Sequence, residues 1–118
     1  MVIEWWKEWN CPPIPERALP TIGMISYAGD TPAWAAWLYR DADRVMAWIA
    51  YPVSNKAVRG KARDNAFKEL SAALANLAAE LGNEFMSAIT NSPCLGRRYR
   101  EQAFSACDIN ITHYIKRL

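Results

Sequence analysis

Apolar residues recur along this chain with two different periods, and the switches between them mark out most of its elements. Val2, Trp5, Trp6 and Trp9 fall at i, i+3, i+4 and i+7, with Glu4, Lys7 and Glu8 opposite them. That spacing predicts a short amphipathic helix over residues 2–10. Cys11–Pro20 holds four prolines, each with a fixed φ and no backbone donor, which predicts an extended connector over 11–20. Thr21–Ala28 (TIGMISYA) is rich in β-branched and aromatic residues and is followed by Gly29-Asp30, the pattern of a strand and its turn.

Residues 32–51 support two readings. Asp30-Thr31-Pro32 has the chemistry of a helix start, and Trp34, Trp37, Leu38, Val45, Trp48 and Ile49 fit a helical stripe behind it. The other reading is two strands, Ala33–Arg40 and Arg44–Tyr51, joined by a tight turn at Asp41-Ala42-Asp43. Aromatic and branched residues favour strands, and Asp41 would fall on the apolar face of the helix. Local pattern leaves both open. From Lys61 to Leu81 the pattern is helical: Ala62, Ala66, Phe67, Leu70, Leu74, Leu77, Ala78 and Leu81 form one stripe, and Gly82 stands where a left-handed cap is needed. Glu84–Thr90 reads as a strand buried on both faces. Ser92-Pro93 starts a second helix that runs to about Ala103. Ile109, Ile111, His113 and Ile115 alternate with polar partners and predict a final strand.

With 118 residues, these elements fill a single α/β (α+β) domain, residues 1–118. Apolar runs are too short to cross a bilayer, and the start MVIEWWKEW has acidic residues where a signal peptide has basic ones. The expectation is a cytoplasmic protein without a membrane partner. The three cysteines, Cys11, Cys94 and Cys107, show no C-x-x-C spacing, and Cys94 and Cys107 sit in apolar sequence that predicts inert thiols. One histidine without a cluster offers no metal site.

The net charge of +2 hides two basic clusters: Lys56, Arg59, Lys61 and Arg63, and then Arg97, Arg98 and Arg100. Short clusters suit a small phosphorylated ligand better than a nucleic-acid track, and the second lacks the interleaved aromatics that nucleic acid would need. A solvated face is the plain alternative. The first cluster falls at a predicted helix start, where unpaired backbone N–H groups and a partial positive charge attract anions. Neither G-x-x-x-x-G-K-[ST] nor G-x-G-x-x-G is present.

Arg59-Gly60-Lys61-Ala62, between a strand and a long helix, resembles the start of the pyrophosphate loop R/Q-x-x-G-x-G/A of the GNAT N-acetyltransferases. Asn91-Ser92-Pro93-Cys94 with Arg98-Tyr99-Arg100-Glu101-Gln102-Ala103-Phe104 resembles that family's second signature, and Thr112–Leu118 (THYIKRL) resembles its final strand. The resemblance covers roughly residues 21–118. In size and in its Trp-rich start the chain is most similar to small phage-encoded members.

The resemblance implies a GNAT-like, mostly antiparallel mixed sheet, with long helix 61–81, short helix 93–103 and two strands in 32–51. It implies acetyl-CoA as cofactor and transfer of an acetyl group to an amine, on a small molecule or on a protein lysine or N-terminus. Cofactor contacts fall on Val53, Ser54, Arg59, Gly60, Lys61, Ala62, Arg63 and Asn91. The amide near Val53 would polarise the thioester carbonyl, and Tyr99 would protonate the leaving thiolate. The chain departs from the family where Ala62, Asp64 and Ala103 replace glycines. No carboxylate stands on Trp48–Tyr51, and the front half that walls the acceptor site is short, a gap that a homodimer would fill. Asp64 would repel a pyrophosphate unless Arg59 or Arg63 neutralised it. The alternative reading is a GNAT-fold phage protein without turnover, serving as a virion part or binding a host factor. His113 and the Trp5, Trp6 and Trp9 stripe read most simply as core packing.

Overall fold

The computed structural model describes residues 1–90, 92–107 and 116. Three strands form an antiparallel meander: β1 (Ile22–Ala28), β2 (Thr31–Arg40) and β3 (Met46–Ser54). After helix α2 (Gly60–Glu80) the chain returns as β4 (Phe85–Ala88), parallel to β3, so the sheet order is β1-β2-β3-β4. Helix α1 (Val2–Glu8) precedes the sheet and α3 (Pro93–Glu101) follows it. The connector 11–20 is not wholly extended, since Glu16–Ala18 closes one 3-10 turn.

The ambiguous stretch is two strands, and the reason is that β2 is covered on both faces. Trp34, Ala36 and Leu38 join the α2-side core, whereas Ala35 and Trp37 face Trp5 and Trp6 of α1. A strand buried on both sides loses its polar alternation, which is why a helical stripe fits the same residues. The helix-start reading at Thr31-Pro32 fails because Thr31 and Pro32 already pair with Ala28 and Tyr27.

One irregularity matters for the site. Trp37 opposes Ala50 and Ala35 opposes Val53, so two residues of β3, Tyr51 and Pro52, face the single Ala36. Tyr51 takes φ 53 at this bulge. The extra residue inverts the strand: Ala47 and Ile49 point into the α2-side core, but Tyr51 and Val53 point to α1. Bulges bend and twist the strand that carries them.

The expectation of a doubly buried strand at 84–90 is corrected. β4 spans four residues, and both Phe85 and Ile89 are 59% exposed, because β4 lies at the end of the described sheet. The corner leading into it is tied down from elsewhere. Arg40 donates to Leu81 O at 2.9 Å and to Asn83 Oδ1 at 2.8 Å. Helix α3 ends at Glu101 rather than 103. Asn91, the strand expected at 109–115 and His113 fall outside the described residues.

Candidate functional site

The site is built where β3 runs out. Its partner β4 pairs only with Met46–Ile49, leaving Ala50–Ser54 without a strand partner on that side among the described residues. Beyond Ser54, Asn55 shapes the turn. Its amide donates to Ala33 O, its side-chain nitrogen donates to Pro32 O, and its Oδ1 accepts from the Ala57 amide. The Asn55 carbonyl accepts the Val58 amide at 3.1 Å, and Val58 is buried. This is a preformed loop in which the amides of Asn55, Ala57 and Val58 are already bonded.

The next amides are not spent. Arg59 is the N-cap of α2 in extended conformation, and no side chain among the described residues caps the helix. The first-turn N–H groups have no intrahelical partner, so they and the helix dipole stand ready for an anion. Gly60 has φ 60, a left-handed conformation that costs glycine little and costs other residues about 1 kcal/mol or more. A Cβ there would meet nothing within 4 Å, so backbone conformation, rather than crowding, calls for glycine.

Arg63 folds back over the loop. Its Nε donates to Val58 O at 2.7 Å, and its own carbonyl accepts from Trp34 Nε1 at 3.0 Å. Partial burial, with Arg98 and Arg59 nearby, lowers its pKa from the ordinary guanidinium value. Asp64 is neutralised, but not by Arg59 or Arg63. Arg98 of α3, only 12% exposed, bonds Asp64 Oδ1 through both Nε (3.0 Å) and Nη2 (2.7 Å), and Arg97 approaches it to 3.9 Å. Arg98 also lies over the Trp34 ring at 5.4 Å. The carboxylate therefore serves as a clasp between α2 and α3.

Alternation along β3 decides which backbone groups face the open edge. In an antiparallel ladder, residues two apart aim their N–H and C=O the same way. Asn55 bonds to β2, so Val53 faces β2 as well, and Ser54 faces away. The amide on the open side is thus Ser54's, with Pro52 offering no N–H beside it. The Val53 side chain is buried against α1. The Ser54 carbonyl accepts the indole N–H of Trp9 at 2.8 Å.

Tyr99 is 5% exposed, inside the α2-side core. Its ring meets Phe67 at 5.5 Å and Phe104 at 5.2 Å. Phe67 lies one helical turn beyond Arg63, so Tyr99 sits a turn deeper than the loop. Its Oη is buried without a hydrogen-bond partner among the described residues, and burial pushes its pKa up to about 12. The cysteines Cys11, Cys94 and Cys107 are exposed, which corrects the apolar setting expected for Cys94 and Cys107.

The structure thus gathers Ser54, Arg59, Gly60, Lys61, Ala62 and Arg63 around one loop, with Tyr99 beneath it and Val53 turned to the other face. Sequence reasoning missed Trp9, Asn55 and Arg98 as parts of this arrangement. Asn55 had a legible signal, as an Asx-turn residue just after a strand. Trp9 had none, because its spacing matches that of the packed Trp5 and Trp6. No family model, curated protein or solved structure matches the chain.

Proposed function

We propose that this protein is an acetyl-CoA-dependent N-acetyltransferase of the GNAT type, acting on an amine. The observation that carries the reading is the open edge of β3 beyond Ile49, where its ladder with β4 ends just before the Tyr51 bulge, beside a helix start without a side-chain cap and with Gly60 at φ 60. An extended arm bearing amides can add to such an open edge as a strand would. Its pyrophosphate would fall on the free first-turn amides of Gly60, Lys61 and Ala62, with the Arg59 and Lys61 side chains adding charge. The amine nitrogen would attack the thioester carbon, and the Ser54 amide is the open-side donor placed to polarise the carbonyl. The carbon–sulfur bond then breaks, the amine nitrogen gives up a proton to solvent as the amide forms, and the thiolate takes one up. Tyr99, which stays protonated at neutral pH, is the proton donor that the family resemblance suggests, and its enclosed Oη has to be uncovered for that step.

Calorimetric titration with acetyl-CoA and with free CoA tests the binding. The expected result is saturable binding that weakens with salt and falls at least roughly tenfold in the Arg59→Ala/Lys61→Ala double variant. Turnover is then read as thiol release with a panel of small amines and lysine peptides, and Tyr99→Phe should lower kcat by about two orders of magnitude with unchanged cofactor affinity. One observation favours a second reading, a GNAT-shaped binding protein without turnover: the Tyr99 hydroxyl is wholly enclosed. Cofactor binding without thiol release for any amine would select it.

A further inference from the structure

The spacing of Trp9 puts it on the packing face of α1, yet it does not share the burial of Trp5 and Trp6, and is 40% exposed. Helix α1 ends in a left-handed turn at Asn10 (φ 56), with Cys11 N–H bonded to Trp6 O at 2.8 Å and Asn10 N–H to Lys7 O at 3.0 Å. This cap holds the Trp9 backbone over the end of β3. From there the indole N–H donates to the Ser54 carbonyl at 2.8 Å. The Lys56 ammonium lies 4.4 Å from a Trp9 ring centroid and the Arg63 guanidinium 5.5 Å. One side chain thereby engages the open-edge carbonyl of β3 and two cations of the loop.

We propose that Trp9 is an intramolecular occupant of the ligand's place, a self-inhibiting contact that an acyl-CoA must displace in order to bind. The proposal rests on reading the β3 edge and the α2 start as an acyl-CoA site. The contacts Trp9 makes are replaceable in kind. An amide N–H of the ligand's arm can donate to Ser54 O in place of the indole. A pyrophosphate pairs with Lys56 and Arg63 more strongly than an exposed aromatic face does. Trp5 and Trp6, both buried and the latter stacked on Trp37 at 5.6 Å, hold α1 in position while the Trp9 indole alone swings away. Without ligand, the indole satisfies the Ser54 carbonyl and lies against two cations that would otherwise be more open to any anion.

The test compares wild type with Trp9→Ala and Trp9→Phe, by calorimetric titration of acetyl-CoA and, as a simpler probe, inorganic pyrophosphate. Trp9→Ala should bind acetyl-CoA roughly tenfold tighter, the scale of one hydrogen bond and one exposed cation–π contact. Trp9→Phe keeps a ring near the cations and loses the N–H, so it should fall between. Acetyl-CoA should shift the tryptophan emission of wild type, and Trp9→Phe should abolish that shift. Equal affinity in all three proteins would overturn the occlusion and leave the site reading standing. Weaker binding in Trp9→Ala would overturn it in favour of Trp9 as a platform that supports the ligand. Absence of binding by all three, including Trp9→Phe with its ring retained, would overturn both the occlusion and the site.

Discussion

Ala103 carries φ 67 at the end of α3, where the Phe104 amide bonds to Tyr99 O at 3.1 Å and the Ala103 amide to Arg100 O at 3.1 Å. This is a Schellman cap with its apolar contact, Phe104 on Tyr99, in place. Glycine fits such a position without strain, so Ala103→Gly should raise stability by about 1 kcal/mol, read as a shift in urea midpoint at unchanged slope. A loss of stability would show that the alanine methyl is packed. Tyr99 bears a different stress, a buried hydroxyl without a partner among the described residues. Tyr99→Phe should therefore leave stability at neutral pH equal or higher by up to about 1 kcal/mol. The pH dependence follows from linkage. The folded phenol holds its proton to about pH 12, against 10.0 ordinarily, so the unfolded chain deprotonates first. The stability this group contributes is whole below pH 10 and declines between pH 10 and about 12, by on the order of 2–3 kcal/mol at most. Denaturant titrations at pH 9 and 11 should show wild type losing more than Tyr99→Phe. An identical loss in both would place the phenol in contact with solvent.

At the scale of elements, β1 and α1 meet through a layer of indoles. A Cβ on Gly23 would stand 2.7 Å from Trp37 Nε1, and Trp37 is stacked between that strand and Trp6. Gly23→Ala must push Trp37 into Trp6, so a destabilisation of about 1–3 kcal/mol is expected, together with a changed near-ultraviolet dichroism of the tryptophans. Unchanged stability and dichroism would mean that the indole layer can slide. Helix α2 was the easiest element to read, because one face meets the sheet and the other meets water, so the apolar period survives in the sequence. Strand β2 was the hardest for the opposite reason, since both its faces are covered. The bulge at Tyr51 could not be read at all. A residue with φ 53 in a run of strand formers goes against its own local preference, and register against β2 imposes it.

For the molecule as a whole, the placement of β4 beside β3 depends on contacts far apart in sequence. Arg40, at the end of β2, holds the α2–β4 corner through Leu81 and Asn83, and Val45 O accepts the Glu84 and Phe85 amides. Arg40→Met should cost about 1–3 kcal/mol in thermal or urea unfolding, because it leaves a carbonyl and an amide oxygen without their donors. Under the proposed function it should also weaken acetyl-CoA binding, since the corner sets where β4 lies along β3. Full retention of both properties would show that the Val45 contacts alone hold the corner. Sequence by itself determined the helix periods, the Ser92-Pro93 start, the Gly60 and Gly82 positions and the basic cluster at the head of α2, because propensity, capping and charge act within a few residues. Tertiary structure alone decided that residues 32–51 are strands, that Asp64 belongs to Arg98, that β3 turns over at Tyr51 and that Trp9 lies on the Ser54 carbonyl. Each of these depends on which distant surfaces cover a residue, and burial from two sides or a partner 34 or 45 positions away leaves no periodic mark on the chain.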